Sequence, residues 1–256
     1  MDLSIIIVNY NTRLLTMQTV NSVIKTTRGI EYEIIVVDNS SKVSEYFEME
    51  DKRVKILSHV ENKGFGHACN IGVNIAIGRY ILFLNLDTIM EEGTLTGAVE
   101  YMDRHSDIGC LGIKTLLKDG SFDHGCKRGF PTPFNSLCYV LKLDKLFPKV
   151  KKFGGYTLNY LSQDETNEVD SVSGAFMLIP KRVLGKVGLF DESIFMYGED
   201  IDLCYRIKQA GYKVVYYAGV KMTHLKGQSG LRTKSPVVIK HFHDGIKRFY
   251  DMYYKN

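Results

Sequence analysis

The chain has 256 residues, 45 % of them apolar and 24 % charged, enough for one large α/β domain or two small ones with a sizeable core. Five cysteines, an odd number with no CxxC pair, exclude a disulfide framework or structural zinc site and fit a reducing compartment. The formal net charge of +4 is uneven: Lys221 to Asn256 holds eight Lys or Arg against two Asp, a balance of +6, leaving −2 for the rest.

The N-terminus enters an apolar run without a basic segment or cleavage site, so no signal peptide is expected. No apolar run reaches the roughly 18 residues a membrane span needs. Leu3 to Val8 is a continuous β-branched run that suits a parallel strand covered on both faces. A polar loop, Asn9-Tyr10-Asn11-Thr12, follows. Leu14, Met17, Val20 and Ile24 then keep helical spacing, with Thr12 as the cap. Ile34 to Val37 is a second buried strand ending on Asp38-Asn39-Ser40-Ser41, and Val54 to Leu57 a third. Glu61 to Gly66 reads as loop and Cys69 to Ile77 as helix. Tyr80 to Leu84 is a further strand running into Asn85-Leu86-Asp87.

Leu95 to Met102 reads as helix and Cys110 to Leu116 as strand, while residues 119–170 show no clean period. Val172 to Ile179 reads as one strand with Gly174 inside it, a place where something approaches the backbone. Lys181 to Val187 is a short helix stopped by Gly188. A helix starting near Gly198 buries Ile201, Cys204 and Ile207 and ends at Gly211, with Asp202 and Arg206 paired on its outer face. Lys213 to Tyr217 and Val220 to Met222 supply the last strands, ending on Thr223-His224. From Pro236 the tail is an amphipathic helix. The alternation predicts an α/β fold with a mostly parallel, doubly wound, Rossmann-like central sheet flanked by helices. Three strands end on polar residues, and in open α/β sheets ligands sit at the carboxyl ends of strands.

Four stretches carry chemistry. Glu199 and Asp200 open a helix after Tyr197 and Gly198; they either suit the helix dipole or act as a general base. Asn85-Leu86-Asp87 is either a capped turn or a site where a carboxylate holds Mg2+ or Mn2+ against phosphate oxygens, with His224 as a further ligand. Asp38 is either an Asx turn or an acceptor for a ribose or base N–H. Asn62 to Asn70 contains Gly64-x-Gly66 before a helix, where glycines would let the backbone approach a nucleotide. Two basic stretches, the tail with Phe242, Phe249, Tyr250, Tyr253 and Tyr254, and Lys142 to Lys152 with Leu143, Leu146, Phe147 and Val150, suit either a solvated helix face or an anionic surface.

The order Val8-Asn9-Tyr10-Asn11, Val37-Asp38-Asn39-Ser40, Asn62 to Asn70, Asn85-Leu86-Asp87, Ser173-Gly174-Ala175-Phe176, Gly198 to Leu203 and His224-x-x-Gly227-Gln228-Ser229 resembles family 2 glycosyltransferases, closest to their rhamnosyltransferase-like branch. The resemblance covers residues 3–230. It implies a GT-A fold, a nucleoside-diphosphate-sugar donor, Mn2+ or Mg2+, and inversion at the anomeric carbon. Carried over by position, Asp200 is the base with Glu199 its rival, and Asp87 and His224 hold the metal. Asn9, Asn11, Asp38, Asn39, Asn62, Gly64, Asn70, Asn85 and Leu86 fall on the donor side, and Gly174, Ala175, Phe176 and Tyr197 on the acceptor side. Asn85 departs from the usual acidic residue and removes one charged contact. The domain reading is 1–230 as the transferase, with a nucleotide-sugar half (1–118) and an acceptor and catalytic half (119–230), then a basic helical tail (231–256).

The resulting expectation is an inverting transferase that moves a sugar, rhamnose among the candidates, to a glycan or lipid-linked acceptor of a surface polysaccharide. It would be cytoplasmic and peripheral at the inner membrane face, with the tail resting on the anionic surface and no nucleic-acid partner. A non-catalytic sugar-nucleotide-binding module is the alternative. A nucleotidyltransferase would need a Gly-rich loop with Arg and Lys where Asn9-Tyr10-Asn11 stands.

Overall fold

A computed structural model describes residues 1–40, 48–58, 61–226 and 236–255, with backbone alone for 237–239. In chain order the strands and helices are β1 (Leu3–Asn9), α1 (Arg13–Thr26), β2 (Tyr32–Asp38), β3 (Val54–Leu57), α2 (Phe65–Ile75), β4 (Tyr80–Leu84), β5 (Thr88–Met90) and α3 (Thr94–Arg104). There follow β6 (Ile108–Leu117), a 3-10 turn (His124–Cys126), β7 (Lys127–Arg128), α4 (Pro133–Val140), α5 (Leu143–Leu146), β8 (Asn167–Glu168) and β9 (Ser171–Val172). The chain closes with β10 (Phe176–Pro180), α6 (Lys181–Val187), α7 (Glu199–Gln209), β11 (Lys213–His224) and α8 (Pro236–Tyr253).

The main sheet runs β3-β2-β1-β4-β10-β6-β11-β5, with β8 also paired to β11. The pairs among β3, β2, β1 and β4 are parallel, as is β6 with β11; β10, β5 and β8 run against their neighbours. The β-branched and apolar runs explain why β1, β2 and β4 are inner strands, fully buried along their length. Leu3, Ile5 and Ile7 enter one apolar layer with Val20, Val23, Leu95, Ala98 and Met102 of α1 and α3. Ile6 and Val8 enter the opposite layer with Cys69, Val73, Val183, Leu203 and Ile207 of α2, α6 and α7. Period-two alternation between two apolar layers requires helices on both faces.

The structure departs from the sequence reading in four places. Helix α2 begins at Phe65, four residues earlier than Cys69, because Gly64 at φ 108° lets the chain turn in. The stretch 172–179 is not one strand: β9 stops at Val172 and β10 starts at Phe176, with Gly174 in the turn between them. The last strand is one long element that bulges between Tyr217 and Lys221. Asp202 does not face outward; it is fully buried, and Arg206 donates to it at 2.6 and 3.0 Å while also donating to the carbonyls of Val187 and Leu189.

Helix α8 packs on the beginning of α7. Tyr253 Oη donates to Asp202 Oδ1 at 2.6 Å, Phe249 is buried against Tyr205 and Phe130, and Gly245 meets the Tyr197–Gly198 peptide so closely that a Cβ on Gly245 would lie 1.7 Å from the Tyr197 carbonyl oxygen. Phe249 and Tyr253 of the tail therefore face the protein, whereas Tyr250 is exposed. Among the described residues no helix is long and apolar enough to cross a membrane. The five cysteines are buried and unpaired.

Candidate functional site

The carboxyl ends of β1 and β2 lie side by side, with Asn9 in register with Asp38. Asn9 Nδ2 donates to Asp38 Oδ1 at 2.8 Å and to Ser40 Oγ at 2.9 Å, and its Oδ1 accepts from the Thr16 hydroxyl at 2.8 Å. Asn9 is fully buried and its amide is committed to these contacts, so it positions Asp38. Asn11 N donates to Ser40 Oγ at 3.0 Å, which ties the loop after β1 to the same cluster. Asp38 Oδ2 and Asn39 Oδ1 are buried without a hydrogen-bond partner. Buried acceptors in that condition are costly unless a ligand donor reaches them, as a ribose hydroxyl or base N–H would. Ser41 lies outside the described residues.

At the end of β4, Thr19 fixes the Asn85-Leu86-Asp87 turn: its hydroxyl lies 2.6 Å from Leu86 O and 2.8 Å from Thr88 O, and accepts from Thr88 N. Asp87 and His224 meet there, Nε2 to Oδ1 at 3.1 Å, because β5 pairs with β11 and sets Thr88 opposite His224. On the other side of the ring, His224 Nδ1 faces Asp123 Oδ2 at 3.4 Å, and Lys226 Nζ donates to Asp123 Oδ1 at 2.6 Å. Burial pulls the His224 imidazole down, but hydrogen bonds and charge from Asp123 and Asp87 outweigh it and hold it up at about 9.

Among the described residues no three His, Cys, Asp or Glu side chains form a ready-made metal cage. Asp87 and His224 still fit a divalent ion. Asp123 can keep the Nδ1 proton and leave the Nε2 lone pair toward Asp87, which is how a carboxylate behind the ring aims a histidine ligand. Two protein donors would leave the other positions to phosphate oxygens and water, which suits Mn2+ or Mg2+. Residues Gly227-Gln228-Ser229 lie outside the described part.

The same edge continues to α7. Asn85 N donates to Ala175 O at 3.2 Å, and Gly174 N donates to Asp200 Oδ2 at 3.0 Å, so two backbone links join the 85–87 turn to Asp200. Asp200 Oδ1 accepts from Ile201 N at 2.8 Å, and Oδ2 is paired with the Arg128 guanidinium. Strand β7 pairs with β9, Arg128 opposite Ser171, and this carries the arginine to the helix mouth. Against the pull of burial, Tyr156 is a further group whose interaction with Arg128 raises the guanidinium pKa, after the charge of Asp200. Glu199 is buried beside this pair with Oε2 unpartnered; burial, then the charge of Asp200, pushes its carboxyl up to about 8. Two adjacent carboxylates have been given opposite environments, so that Glu199 stays neutral while Asp200 has the cation.

Several expected site residues are committed elsewhere. Asn70 does not face a donor: both its amide donors and its acceptor are taken by Phe190 and Glu192, at 2.9 to 3.1 Å. Gly64 is approached by the Phe195 backbone, 2.4 Å from where its Cβ would be. Asn62 is exposed and its Oδ1 accepts from Gly64 N at 3.1 Å. Leu86, Ala175 and Phe176 lie in the apolar core, so Ala175 and Phe176 do not offer side chains to an acceptor. Gly174 does touch the site, and the group that approaches its backbone is the Asp200 carboxylate. Tyr197, at φ 68°, is half-buried next to Phe242. Arg128, Tyr156, Asp123, Lys226 and Thr19 were missed; the first three fall in the aperiodic stretch, where only the Asp-x-Gly turn at Asp123 gave a local signal.

Comparison with known proteins gives the family and the fold. The model of Glycosyl transferase family 2 matches residues 4–163. Rhamnosyltransferase WbbL of Escherichia coli is 32 % identical over 171 residues, covering 63 % of this chain and 60 % of the relative. N-acetylglucosaminyl-diphospho-decaprenol L-rhamnosyltransferase of Mycobacterium tuberculosis is 27 % identical, covering 69 % of this chain and 60 % of the relative. The match thus spans about three-fifths of these relatives' length. The crystal structure of GalNAc-T7 with UDP, GalNAc and Mn2+ superposes with a TM-score of 0.66 at 20 % identity, over 96 % of this chain and 47 % of the other. Staphylococcus aureus TarS 1–349 with UDP-GlcNAc superposes with a TM-score of 0.58 at 17 % identity, over 100 % of this chain and 74 % of the other. These two likenesses establish the fold, which is GT-A.

Proposed function

The chain belongs to glycosyl transferase family 2, in its rhamnosyltransferase-like branch, and on that premise we propose that it is an inverting transferase using a nucleoside-diphosphate-sugar donor. The sugar, rhamnose among the candidates, goes to a hydroxyl of a glycan or lipid-linked acceptor in surface-polysaccharide synthesis at the inner face of the cell membrane. The observation that carries the reading is the bonded path Asn85–Ala175–Gly174–Asp200, which holds a phosphate-side carboxylate and a base on one edge of one sheet.

The donor nucleoside takes the unpaired Asp38 Oδ2 as its acceptor. Asp87 and His224 would hold Mn2+ or Mg2+, which when bound neutralises charge on the departing diphosphate. Asp200 takes the proton of the acceptor hydroxyl as the acceptor oxygen bonds to the anomeric carbon. The bond from that carbon to the diphosphate breaks on the opposite face, which inverts the centre. Glu199 is the poorer base because it is mostly protonated at neutral pH, with its carboxyl at about 8. Arg128 pairs with Asp200 and aims it toward the incoming hydroxyl. The name of the mycobacterial relative specifies a diphospho-decaprenol carrier, which supports a lipid-linked acceptor.

The test is a panel of radiolabelled sugar nucleotides with lipid-linked acceptors, each with and without Mn2+ or Mg2+. One donor should give transfer that needs the metal. A folded protein that neither transfers nor hydrolyses any donor ends this reading in favour of a binding module.

A further inference from the structure

Between Thr132 and Lys152 the chain leaves the sheet as a hairpin of α4 and α5, and its surface is unlike the rest of the molecule. Of 15 large apolar side chains exposed among the described residues, eight lie between Phe134 and Val150, with Val140 74 % and Leu146 68 % exposed. Lys142, Lys145, Lys149, Lys151 and Lys152 are exposed among them, and the one acidic residue of the stretch, Asp144, is buried. Every exposed charge on the hairpin is therefore positive. Helix α8 is the contrast: Phe249 is buried, Tyr253 bonds Asp202, and exposed Asp244 and Asp251 sit among its lysines.

We propose that the α4–α5 hairpin is the surface by which this protein seats on an anionic lipid bilayer. A short helical segment with exposed apolar side chains and lysines around them matches the layered chemistry of that interface: apolar groups enter the acyl boundary, and long basic side chains reach back to lipid phosphates. A purely solvated helix face has no reason to expose Leu137, Val140 and Leu141 together with Phe134 and Phe147.

The hairpin is also wired to the base. The Tyr139 ring lies 5.1 Å from Tyr156, Tyr156 interacts electrostatically with Arg128, and Arg128 pairs with Asp200. Asn135 Nδ2 donates to Phe130 O at 2.9 Å and pins the root of the hairpin. Seating these helices in the headgroup layer puts Asp200 a few side chains above the lipid, where the hydroxyl of a lipid-carried acceptor emerges. That last step rests on the transferase reading; the docking surface does not.

The experiment is co-sedimentation of the full chain with vesicles of phosphatidylcholine alone and of phosphatidylcholine mixed with phosphatidylglycerol. The protein should sediment with the mixed vesicles and little with the neutral ones. The exposed triple variant Leu137→Glu, Val140→Glu, Leu141→Glu should lose at least about tenfold in partitioning while keeping its circular dichroism and melting temperature. Lys149→Gln, Lys151→Gln, Lys152→Gln should lose most of the preference for phosphatidylglycerol, and Tyr250→Glu, Met252→Glu on α8 should change nothing. Equal sedimentation of the triple variant overturns the proposal, as does a hairpin that supports self-association but not vesicle binding. A chain that binds mixed vesicles through the hairpin yet turns over no sugar nucleotide upholds this surface and removes the transferase reading.

Discussion

Asp38 and Asp200 are both buried carboxylates at the same edge of the sheet, and they are held in opposite ways. Asp38 is fixed by neutral donors from its own strand pair, Asn9 Nδ2 at 2.8 Å and Ser40 N at 3.0 Å, and keeps one oxygen unpartnered. Asp200 is fixed by a cation and two backbone N–H groups, from segments 72 and 26 residues away and from its own helix. On the proposed reading the first receives a ligand's donor and the second is the base. Neighbouring strands suffice to hold Asp38, whereas Asp200 needs remote parts of the chain to converge.

That contrast breaks most easily at Arg128. Arg128→Met should cost about 3–5 kcal/mol of stability, because it leaves a buried carboxylate without its partner. Adding Asp200→Asn should recover much of the loss, read from urea midpoints; no recovery would mean that the pair is not coupled. Next in size, Asp200→Asn alone should lower transfer by about 100-fold or more, with affinity for the free nucleoside diphosphate unchanged by calorimetry. Asp38→Ala should do the reverse, weakening nucleoside diphosphate binding by about tenfold through a lost charged hydrogen bond, with a much smaller effect on turnover at saturating donor.

The most gradual effect is a pH slope. Glu199 has its folded carboxyl at about 8 against an ordinary 4.5, so between those values the native state keeps a proton that the unfolded chain has released. Its contribution is fully present below about 4.5 and is lost as pH rises toward 8, by at most about 1.4 kcal/mol per unit. The raised His224 acts in the same direction at higher pH, so the comparison is wild type against Glu199→Gln. The variant should show a flatter stability profile across that window in pH-resolved thermal melts.

The donor side was legible because β-branched runs of strand length end abruptly on Asn9, Asp38 and Asn85, and that pattern survives in one dimension. The stripe Ile201, Cys204, Ile207 was equally plain. Asp202 was misjudged because an i,i+4 ion pair looks the same whether it faces water or, as here, bonds Tyr253 and closes two carbonyls. Gly64 and Asn70 were misjudged because a glycine or an amide that serves another loop of the chain, Phe190 to Phe195, has the same letters as one that serves a ligand. Arg128 and Asp123 were invisible: they lie in short pieces, β7 and a 3-10 turn, whose placement comes from pairing with β9 and packing against β11.

The meeting of Gly245 with the Tyr197–Gly198 peptide has a consequence for how the chain tolerates trimming. The last helix is a wedge driven behind the bend that presents Glu199 and Asp200; Gly245 has no room for a methyl group, and Gly198, at φ 101°, would bring one to 3.2 Å from the Gly245 backbone. Shortening the protein ahead of Gly245, or enlarging that residue, would let the bend relax and detune the acid pair from a distance.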